Sequence, residues 1–415
     1  MTSPETSYDN IRLKIAGLIQ NKLFHPEKDN AEVAKLSEEF TDLWPAWAAA
    51  GEIEPGVSDW LRKLKLSHTG FWRGPGTGLP AYFAINATLK RLDDGLLVFW
   101  DVLPGGLAER AGITPGDVLA GINGHNINGN EPRFQLGGSY ILNLLRNGVE
   151  KAANITLPNS GPKDRPPMTE AKPLTYSVKD GIAVLKVTSF PGAVGFDLLR
   201  DLGSALAVFD DKQCDRLILD LRANCGGGLS SVRLMSLLVP DRRLIGYSLT
   251  RLGRDRKKSA SELPAIRRLP GSKLELLPLA IRFKLVNRDR SFRLFTEGLG
   301  AKRFHGRIVL LVNEYTRSAA EMIAAFARNE EVAHVVGTRT PGEVLGAANF
   351  HVGSDYRLRI PITAWYTGKD QLIEGGGVEP HTEQANTIGA LTSGRDLPME
   401  KAQAVLQGVW QRRVP

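Results

Sequence analysis

The sequence predicts an α/β protein with a helical region and a β-rich region ahead of its α/β part. Three patterns along the 415 residues predict it. Apolar residues repeat at helical spacing in residues 1–66, short β-type runs with many glycines fill residues 67–160, and strands alternate with helices in residues 170–390. A chain of this length exceeds one ordinary hydrophobic core, so we expect separate domains, with a C-terminal helix or tail over 391–415.

Composition excludes several classes of protein. Apolar residues make up 42% of the chain and charged residues 24%, which excludes a mainly disordered or collagen-like chain. No stretch has the roughly 18 consecutive apolar residues of a membrane-spanning helix. The N-terminus has neither a basic segment nor an apolar core, so we expect a cytoplasmic protein, or an exported or periplasmic one if a signal was removed. Two cysteines do not make a disulfide scaffold, and we expect no cofactor and no metal.

The positive charge of the chain is concentrated in one block. The net charge is +8, yet residues 241–307 alone contain 18 basic and six acidic residues. Such a block could bind nucleic acid or an acidic membrane surface. Its basic residues alternate with leucine and proline, and no recognition motif accompanies them. We therefore predict a solvated insertion with a positive face, and no nucleic-acid partner.

The N-terminal region predicts three helices. Ile11, Ile15 and Ile19 keep a helical period, and two further apolar runs occupy residues 33–47 and 60–64. We expect a small helical bundle that packs on the rest of the chain.

The β-rich region contains a recognisable succession of elements. A strand at Leu96–Trp100 is followed by a short helix within Pro104–Ile113 and by a turn and strand within Pro115–Gly124. This succession resembles the PDZ domain, which binds extended peptides by adding them as a strand to a sheet edge. The resemblance implies a loop that captures a terminal carboxylate, with Gly76, Gly78 and Leu79 as candidates. The alternative is a glycine-rich hairpin without a ligand.

From about residue 172 the pattern is that of a largely parallel sheet with helices between its strands. Buried strands and helices alternate, and a basic block interrupts them once. The predicted strands are Ile182–Val187, Leu217–Leu221, Ile308–Val312 and His334–Gly337, and the predicted helices are Val194–Phe209, Ser230–Leu238 and Ala319–Arg328.

Ser318 follows one of these strands and directly precedes a helix. A hydroxyl at a strand-to-helix turn is surrounded by free backbone N–H groups, which can stabilise a developing oxyanion. The same residues also form a capping-box pattern, with Ser318 at the N-cap and Glu321 three residues later. Both interpretations fit this segment.

A second turn, Asp220–Gly228, also joins a buried strand to a helix and ends in three glycines. Consecutive glycines cost backbone entropy, so they indicate a place where the backbone approaches something closely. A phosphate loop is one possibility, but neither phosphate-binding glycine motif is present. The other is a backbone N–H directed at a carbonyl oxygen.

A serine nucleophile needs a base. Seven histidines are available, and His68 stands out because it lies beside Ser67 just before the β-rich region. A histidine in isolation is more often structural.

The order of these motifs resembles the C-terminal-processing (tail-specific) serine peptidase family. The resemblance extends from Ser67 to Pro380. It implies a Clp-protease/crotonase-like α/β fold and a peptidase that cleaves unfolded or C-terminal protein segments through an acyl-enzyme. The segments that carry it are Ser67–Gly70, the PDZ-like run, Asp220–Gly228, Asn313–Glu321, Gly337–Gly342 and Ile373–Pro380.

Residue by residue, the resemblance implies Ser318 as the nucleophile and the N–H groups of Gly226 and Ala319 as the oxyanion hole. One branch of the family pairs its serine with a lysine, but Glu343 occupies that position here. A Ser–Lys dyad is therefore not expected.

The other branch, which includes the tricorn core protease, uses a Ser-His-Ser-Glu tetrad. Ser67 and His68 match its Ser-His pair, and Glu374 matches its glutamate, with Glu379 as the competing candidate. The resemblance thus implies a base (His68), a relay hydroxyl (Ser67) and an orienting carboxylate. Some proteins of this fold bind ligands without cleaving them. The presence of all four residues favours a peptidase with protein or peptide substrates.

Overall fold

The computed structural model describes residues 4–74, 78–127, 131–159, 171–192, 196–256, 259–272, 274–275, 277–278, 290–300 and 303–408. The chain divides into two compact units. Unit 1 is Met1–Gly76 with Asp241–Gly298 and Gly342–Gly377, and unit 2 is Thr77–Pro240 with Leu299–Pro341 and Val378–Pro415. The domain boundaries expected from the sequence stay a prediction.

The helices of the described residues are α1 (Pro4–Lys22), α2 (Asn30–Ala50), α3 (Ile53–Lys63), α4 (Ala81–Ile85), α5 (Leu107–Arg110), α6 (Phe196–Asp211), α7 (Ser231–Ser236), α8 (Arg251–Asp255), α9 (Ala319–Asn329), α10 (Ile388–Thr392) and α11 (Leu397–Gln407). The strands are β1 (Gly70–Arg73), β2 (Leu79–Pro80), β3 (Ala87–Arg91), β4 (Leu97–Val102), β5 (Val118–Ile122), β6 (His125–Asn126), β7 (Arg133–Phe134), β8 (Ser139–Arg146), β9 (Val149–Thr156), β10 (Leu174–Lys179), β11 (Ile182–Val187), β12 (Arg216–Asp220), β13 (Leu244–Thr250), β14 (Ala265–Ile266), β15 (Phe292–Phe295), β16 (Arg307–Val312), β17 (His334–Gly337), β18 (Gly346–Gly353), β19 (Tyr356–Thr367) and β20 (Thr382–Glu383). No helix within these described ranges is long and apolar enough to cross a bilayer.

Unit 1 packs its N-terminal helices on a sheet. The strand order is β1-β19-β13-β15-β14, and β18 pairs with the other side of β19. Ile11, Ile15 and Ile19 are fully buried in one cluster with Leu358 and Ile360 of β19. Each such side chain contributes roughly 1.5–3 kcal/mol by its burial. The apolar residues that repeat along α1 therefore form the helix face that covers this sheet.

The basic block provides part of that sheet. β13 pairs with β19 and with β15, and β15 also pairs with β14. β13 and β15 are therefore internal strands of the sheet. Arg254 donates to the His25 carbonyl at 2.7 Å and lies over the Phe24 ring. The interpretation of the block as a solvated insertion is therefore wrong for these two strands. The sequence did not reveal them, because the period-2 pattern within the block is short and the partner strand β19 lies far along the chain.

Unit 2 contains an antiparallel sheet of order β3-β4-β5-β8-β9, with β6 paired to β5. Its core includes Phe99, Leu119 and Phe134. The short helix α5 and the strand β5 lie where the PDZ-like succession places them, and Asp117 between them accepts a hydrogen bond from Arg146 Nε at 2.6 Å. The identification of this region as a PDZ-like domain stays a prediction.

The second sheet of unit 2 has the order β10-β11-β12-β16-β17-β20. All its neighbours from β11 onward are parallel, and β10 is an antiparallel edge strand. The predicted strands agree with β11, β12, β16 and β17 to within one residue. Of the helices, α7 is shorter than expected, and the predicted start of α6 at Val194 lies outside the described residues. The neighbouring β12 and β16 end side by side, so the turns after them meet at one edge of the sheet.

Candidate active site

Ser318 has an unusual backbone conformation. Its φ is +56° and its ψ is −121°, just before α9 begins at Ala319. An ordinary N-cap residue is extended, and a non-glycine residue with positive φ is strained by about 1–3 kcal/mol. The backbone of Ser318 is therefore that of a sharp strand-to-helix turn which presents a hydroxyl, rather than that of an ordinary cap.

The Glu321 carboxylate holds this turn by hydrogen bonds. Its Oε2 accepts the backbone N–H of Ser318 at 3.1 Å, and its Oε1 accepts the Thr340 hydroxyl at 2.7 Å. The Thr340 Oγ1 in turn accepts the N–H of Val378 at 2.8 Å. Glu321 is fully buried. The glutamate half of the capping box is thus present, and it holds the strained serine in place.

The turn Asp220–Gly228, called the glycine turn from here on, lies directly against Ser318. A Cβ placed on Gly226 would lie 2.6 Å from the Ser318 Cβ and 2.9 Å from the Ala319 nitrogen, so only glycine fits there. Gly226 also has a positive φ of 85°, which glycine adopts without strain. Ser318, Gly226 and Ala319 therefore lie together in the structure, and their catalytic roles stay a prediction.

The N–H groups at this turn differ in their partners. The Gly226 N–H donates to the Asn224 side-chain oxygen at 2.8 Å, so it is already bound. Ala319 opens its helix and has no intrahelical acceptor. Within the described ranges, no acceptor binds the N–H of Ala319 or that of Gly227. Gly227 is an oxyanion-hole candidate that the sequence did not single out, because three adjacent glycines are equivalent in sequence.

A buried ion-pair network fixes the start of the glycine turn. Arg222 donates to Asp220 through Nε at 2.9 Å and through Nη2 at 2.8 Å, and its Nη1 lies 2.6 Å from Asp396 Oδ1. Burial on its own would raise the pKa of Asp220, but Arg222 and Lys186 outweigh it and hold that pKa well below its ordinary value. The turn therefore begins from a rigid anchor.

The base candidates form a second group, in unit 1. Ser67 Oγ donates to Glu374 Oε2 at 2.9 Å and lies 2.8 Å from His68 Nδ1. The Ser67 N–H donates to Glu374 Oε1 at 2.8 Å, and the Val344 N–H donates to Oε2 at 2.8 Å. Since the Ser67 hydroxyl donates its hydrogen bond to Glu374, the Ser67 oxygen can accept a hydrogen bond from Nδ1–H of His68. That tautomer makes Nε2 the basic nitrogen of the His68 ring.

The competing candidates have other surroundings. Glu379 forms an ion pair with Arg339. Lys369 is exposed on the turn after β19. Among the described residues, no group of three or more His, Cys, Asp or Glu side chains could hold a metal ion, and Cys214 and Cys225 are free thiols.

The proposed peptide-binding loop is described only in part, because Gly76 lies outside the described residues. Gly78 has a φ of +92°, and a Cβ there would lie 3.1 Å from the Phe134 carbonyl oxygen. Leu79 pairs with Phe134 between β2 and β7. The close approach at Gly78 is therefore to the protein's own backbone, which favours the structural alternative for this glycine.

Comparison with known proteins gives a consistent result. Residues 181–384 match Peptidase family S41. The carboxy-terminal processing protease CtpA of Bacillus subtilis is 27% identical over 301 residues, which are 70% of this chain and 53% of that protein. The carboxy-terminal-processing protease of Bartonella bacilliformis is 21% identical over 303 residues, covering 71% and 60%. The chain thus spans a little over half the length of these relatives.

Two solved structures resemble the whole chain. The photosystem II D1 C-terminal processing protease superposes with a TM-score of 0.56 at 14% identity, covering 97% of this chain and 98% of that one. Mature CPAF complexed with lactacystin superposes with a TM-score of 0.58 at 14% identity and the same coverage. This likeness confirms the α/β fold class that the sequence predicts.

Proposed function

We propose that the chain is a serine endopeptidase of peptidase family S41, whose family model matches residues 181–384. Family members act on protein substrates. For this chain we propose unfolded or C-terminal segments of proteins, cleaved through an acyl-enzyme at Ser318. The observation that carries the proposal is the strained Ser318, held beside Gly226 and the unbound N–H of Ala319.

The proposed chemistry begins with attack of the Ser318 hydroxyl oxygen on the scissile carbonyl carbon. His68 accepts the hydroxyl proton through Nε2, and the carbonyl oxygen becomes an oxyanion. The N–H of Ala319 then donates to that oxyanion, together with one N–H of the glycine turn. Gly227 offers an unbound N–H for this role, whereas the Gly226 N–H must first leave the Asn224 oxygen. Each such donor is worth roughly 10²–10³-fold in kcat.

Collapse of the oxyanion breaks the C–N bond. The imidazolium of His68 gives its proton to the leaving amine, and an acyl ester remains on Ser318. Water then attacks the ester carbon while His68 accepts one of its protons. The bond from the acyl carbon to the Ser318 oxygen breaks, His68 returns the proton to that oxygen, and the carboxylate product leaves. Throughout, Ser67 and Glu374 keep the His68 ring in the tautomer that leaves Nε2 as the base.

The β-rich region is proposed to hold the substrate. β3 is an edge strand of its sheet, and an extended peptide can add to it as a further strand if it displaces the Tyr315 hydroxyl, which donates to the Leu89 carbonyl at 3.0 Å. This mode of binding works through main-chain hydrogen bonds, so it suits segments that are already unfolded. Such remote binding should raise the efficiency of long substrates more than that of short peptides.

A comparison of the wild type with Ser318→Ala on a permanently unfolded protein tests the proposal. We expect fragments from the wild type and none from the variant, with both proteins equally folded by circular dichroism. Tight binding of the unfolded substrate without cleavage by the wild type would instead support a non-catalytic binding protein of this fold.

A further inference from the structure

Asn313 makes hydrogen bonds in three directions. It follows β16, and its Oδ1 accepts the backbone N–H of Ala223 at 3.0 Å and that of Tyr315 at 3.1 Å. Its Nδ2 donates to Asp101, at 3.2 Å from Oδ2 and 3.4 Å from Oδ1. Asn313 is itself buried. One amide group therefore contacts the glycine turn, the turn that leads to Ser318, and the β-rich sheet.

The two backbone segments that Asn313 holds are those that meet at Ser318. Ala223 has a positive φ of 56° and begins the turn that leads to Gly226. Thr316 strengthens the same junction, because its hydroxyl donates to the Leu221 carbonyl and accepts the Asn313 N–H, both at 2.9 Å. The relative position of nucleophile and oxyanion donors thus depends on this junction.

Asp101 determines which end of the Asn313 amide faces Ala223. The oxygen and the NH₂ of an amide have nearly the same shape, but only the NH₂ can donate to a carboxylate. Asp101 is itself fixed, because its Oδ2 accepts the Thr88 hydroxyl at 2.8 Å and its N–H donates back to Thr88 at 2.9 Å. With the NH₂ on Asp101, the Asn313 oxygen must point at the N–H groups of Ala223 and Tyr315.

We propose that Asn313 is a positioning residue of the Ser318 site and that Asp101, on β4 of the β-rich sheet, sets the orientation of its amide. This inference rests on the proposed function, since it concerns the rate at which Ser318 reacts. Asn313 does not touch the reacting atoms. It acts by holding the Ala223–Gly226 backbone and the Ser318 turn in one geometry.

A reversal of the donor and the acceptor tests the inference. Asn313→Asp keeps the shape and the acceptor toward Ala223, but it places two carboxylates together. The double variant Asp101→Asn with Asn313→Asp restores one donor and one acceptor in the opposite direction. We expect Asn313→Asp to lower kcat and the rate of Ser318 labelling by a fluorophosphonate roughly tenfold with little change in KM, and the double variant to recover most of that loss.

The controls separate positioning from folding. Each variant is assayed well below its melting temperature and the rate is expressed per folded molecule, so a merely structural role leaves that rate unchanged. Asn143→Asp, in β8, is the matched control, since Asn143 Oδ1 also accepts a backbone N–H, that of Gly124. Wild-type rates in Asn313→Asp, or a double variant no better than Asn313→Asp, overturn the inference while the proposed function stands. A wild type that is not labelled overturns both.

Arg359 is a partly buried arginine of unit 1. It lies on β19 opposite Gly70 of β1 and Asn349 of β18. Its neighbours along the strand, Leu358 and Ile360, point into the apolar core, so the Arg359 side chain is on the other face of the sheet.

Among the residues that the structure describes, none supplies a counter-charge to this guanidinium. In the described parts of the chain it makes no hydrogen bond or ion pair, and its Nε is buried. Partial burial alone lowers the pKa of Arg359, yet an arginine stays charged at any ordinary pH. A half-buried cation without a partner is unfavourable, and a carboxylate is the ligand that best matches its planar donors.

We infer that Arg359 binds a carboxylate of the substrate. Gly70, which pairs with Arg359 across the sheet, is two residues after His68, the proposed base. This inference also rests on the proposed function, and it adds a class of substrate to it: chains that carry a carboxylate, either at the C-terminus or on an acidic side chain.

Three matched peptides identify the source of the carboxylate: one with a free C-terminus, its C-terminal amide, and the amide with its single glutamate changed to glutamine. Arg359→Gln should raise KM roughly tenfold or more for the peptides that carry the recognised carboxylate, and leave the neutral peptide unchanged. Arg359→Lys should recover part of the loss, and exposed Arg62→Gln is the control. Equal effects on all three peptides, or no effect on any, overturn the inference, whereas absence of cleavage by the wild type contradicts the proposed function itself.

Discussion

Glu374 accepts both the backbone N–H and the hydroxyl of Ser67, at 2.8 and 2.9 Å, although 307 positions separate the two residues. Because both carboxylate oxygens are occupied, Glu374 fixes the position of Ser67 and the direction of its hydroxyl together. Ser67 Oγ then has its acceptor side toward His68 Nδ1, 2.8 Å away. The order of the three groups is that of a carboxylate relay to an imidazole.

Removal of the Glu374 charge should therefore impair catalysis more than folding. Glu374→Gln keeps the shape, but an amide cannot accept through both ends, so the Ser67 hydroxyl loses its fixed direction. We expect kcat to fall roughly tenfold or more with KM little changed, as measured on a fluorogenic peptide. Glu379→Gln is the matched control and should keep wild-type kcat, because Glu379 pairs with Arg339 instead. The reverse ranking of the two variants would assign the role to Glu379.

The rate should depend on pH as a histidine base requires. Only the neutral imidazole accepts a proton, so kcat/KM should rise with pH through the ordinary histidine range, about 6 to 7, and then level off. His68→Ala should lose the activity, while His351→Ala, an exposed histidine on β18, should keep it. A profile that still climbs above pH 9 would indicate a lysine base, and Lys369 would be the first to replace.

Backbone strain at Ser318 predicts a difference between two inactive variants. Glycine adopts φ +56° and ψ −121° freely, whereas alanine keeps the strain of serine. We expect Ser318→Gly to be more stable than Ser318→Ala by about 1 kcal/mol, measured by denaturant unfolding. Equal stabilities would mean that the turn relaxes in solution to an ordinary cap.

The Gly78 backbone predicts a loss of stability on substitution. Gly78→Val combines a positive φ with a Cβ 3.1 Å from the Phe134 oxygen, so we expect destabilisation by about 1–3 kcal/mol. Gly74→Val has the same sign of φ but open space around it, so it should cost less. Activity on a peptide with a free C-terminus and on its amide then distinguishes two roles for the loop. A loss confined to the free terminus would support carboxylate capture, and equal losses would leave the loop as scaffold.

Much of the fold follows from local patterns. The strand Ile182–Val187 and the placement of Ser318 between strand and helix are visible in the sequence, because they depend on short apolar runs and on residues a few positions apart. The positive φ of Ser318 is not visible there, since serine has no preference for that conformation. The Asp101–Asn313 bond links residues 212 positions apart. No local period reports it.

The sheet of unit 1 shows the same limit. Its strands come from three distant parts of the chain, and β19 pairs with a strand from each of them. The helical region predicted at the N-terminus is present, but its apolar face could not be assigned to a partner. A periodic sequence shows that a face is buried and does not show what buries it.

An activated nucleophile at Ser318 should react covalently with a fluorophosphonate. The wild type would be treated with a fluorophosphonate probe, digested and analysed by mass spectrometry. We expect one phosphonyl adduct, on the peptide that contains Ser318, and a strongly reduced adduct in His68→Ala. An unlabelled protein, or an adduct on another serine with Ser318 unmodified, would contradict it.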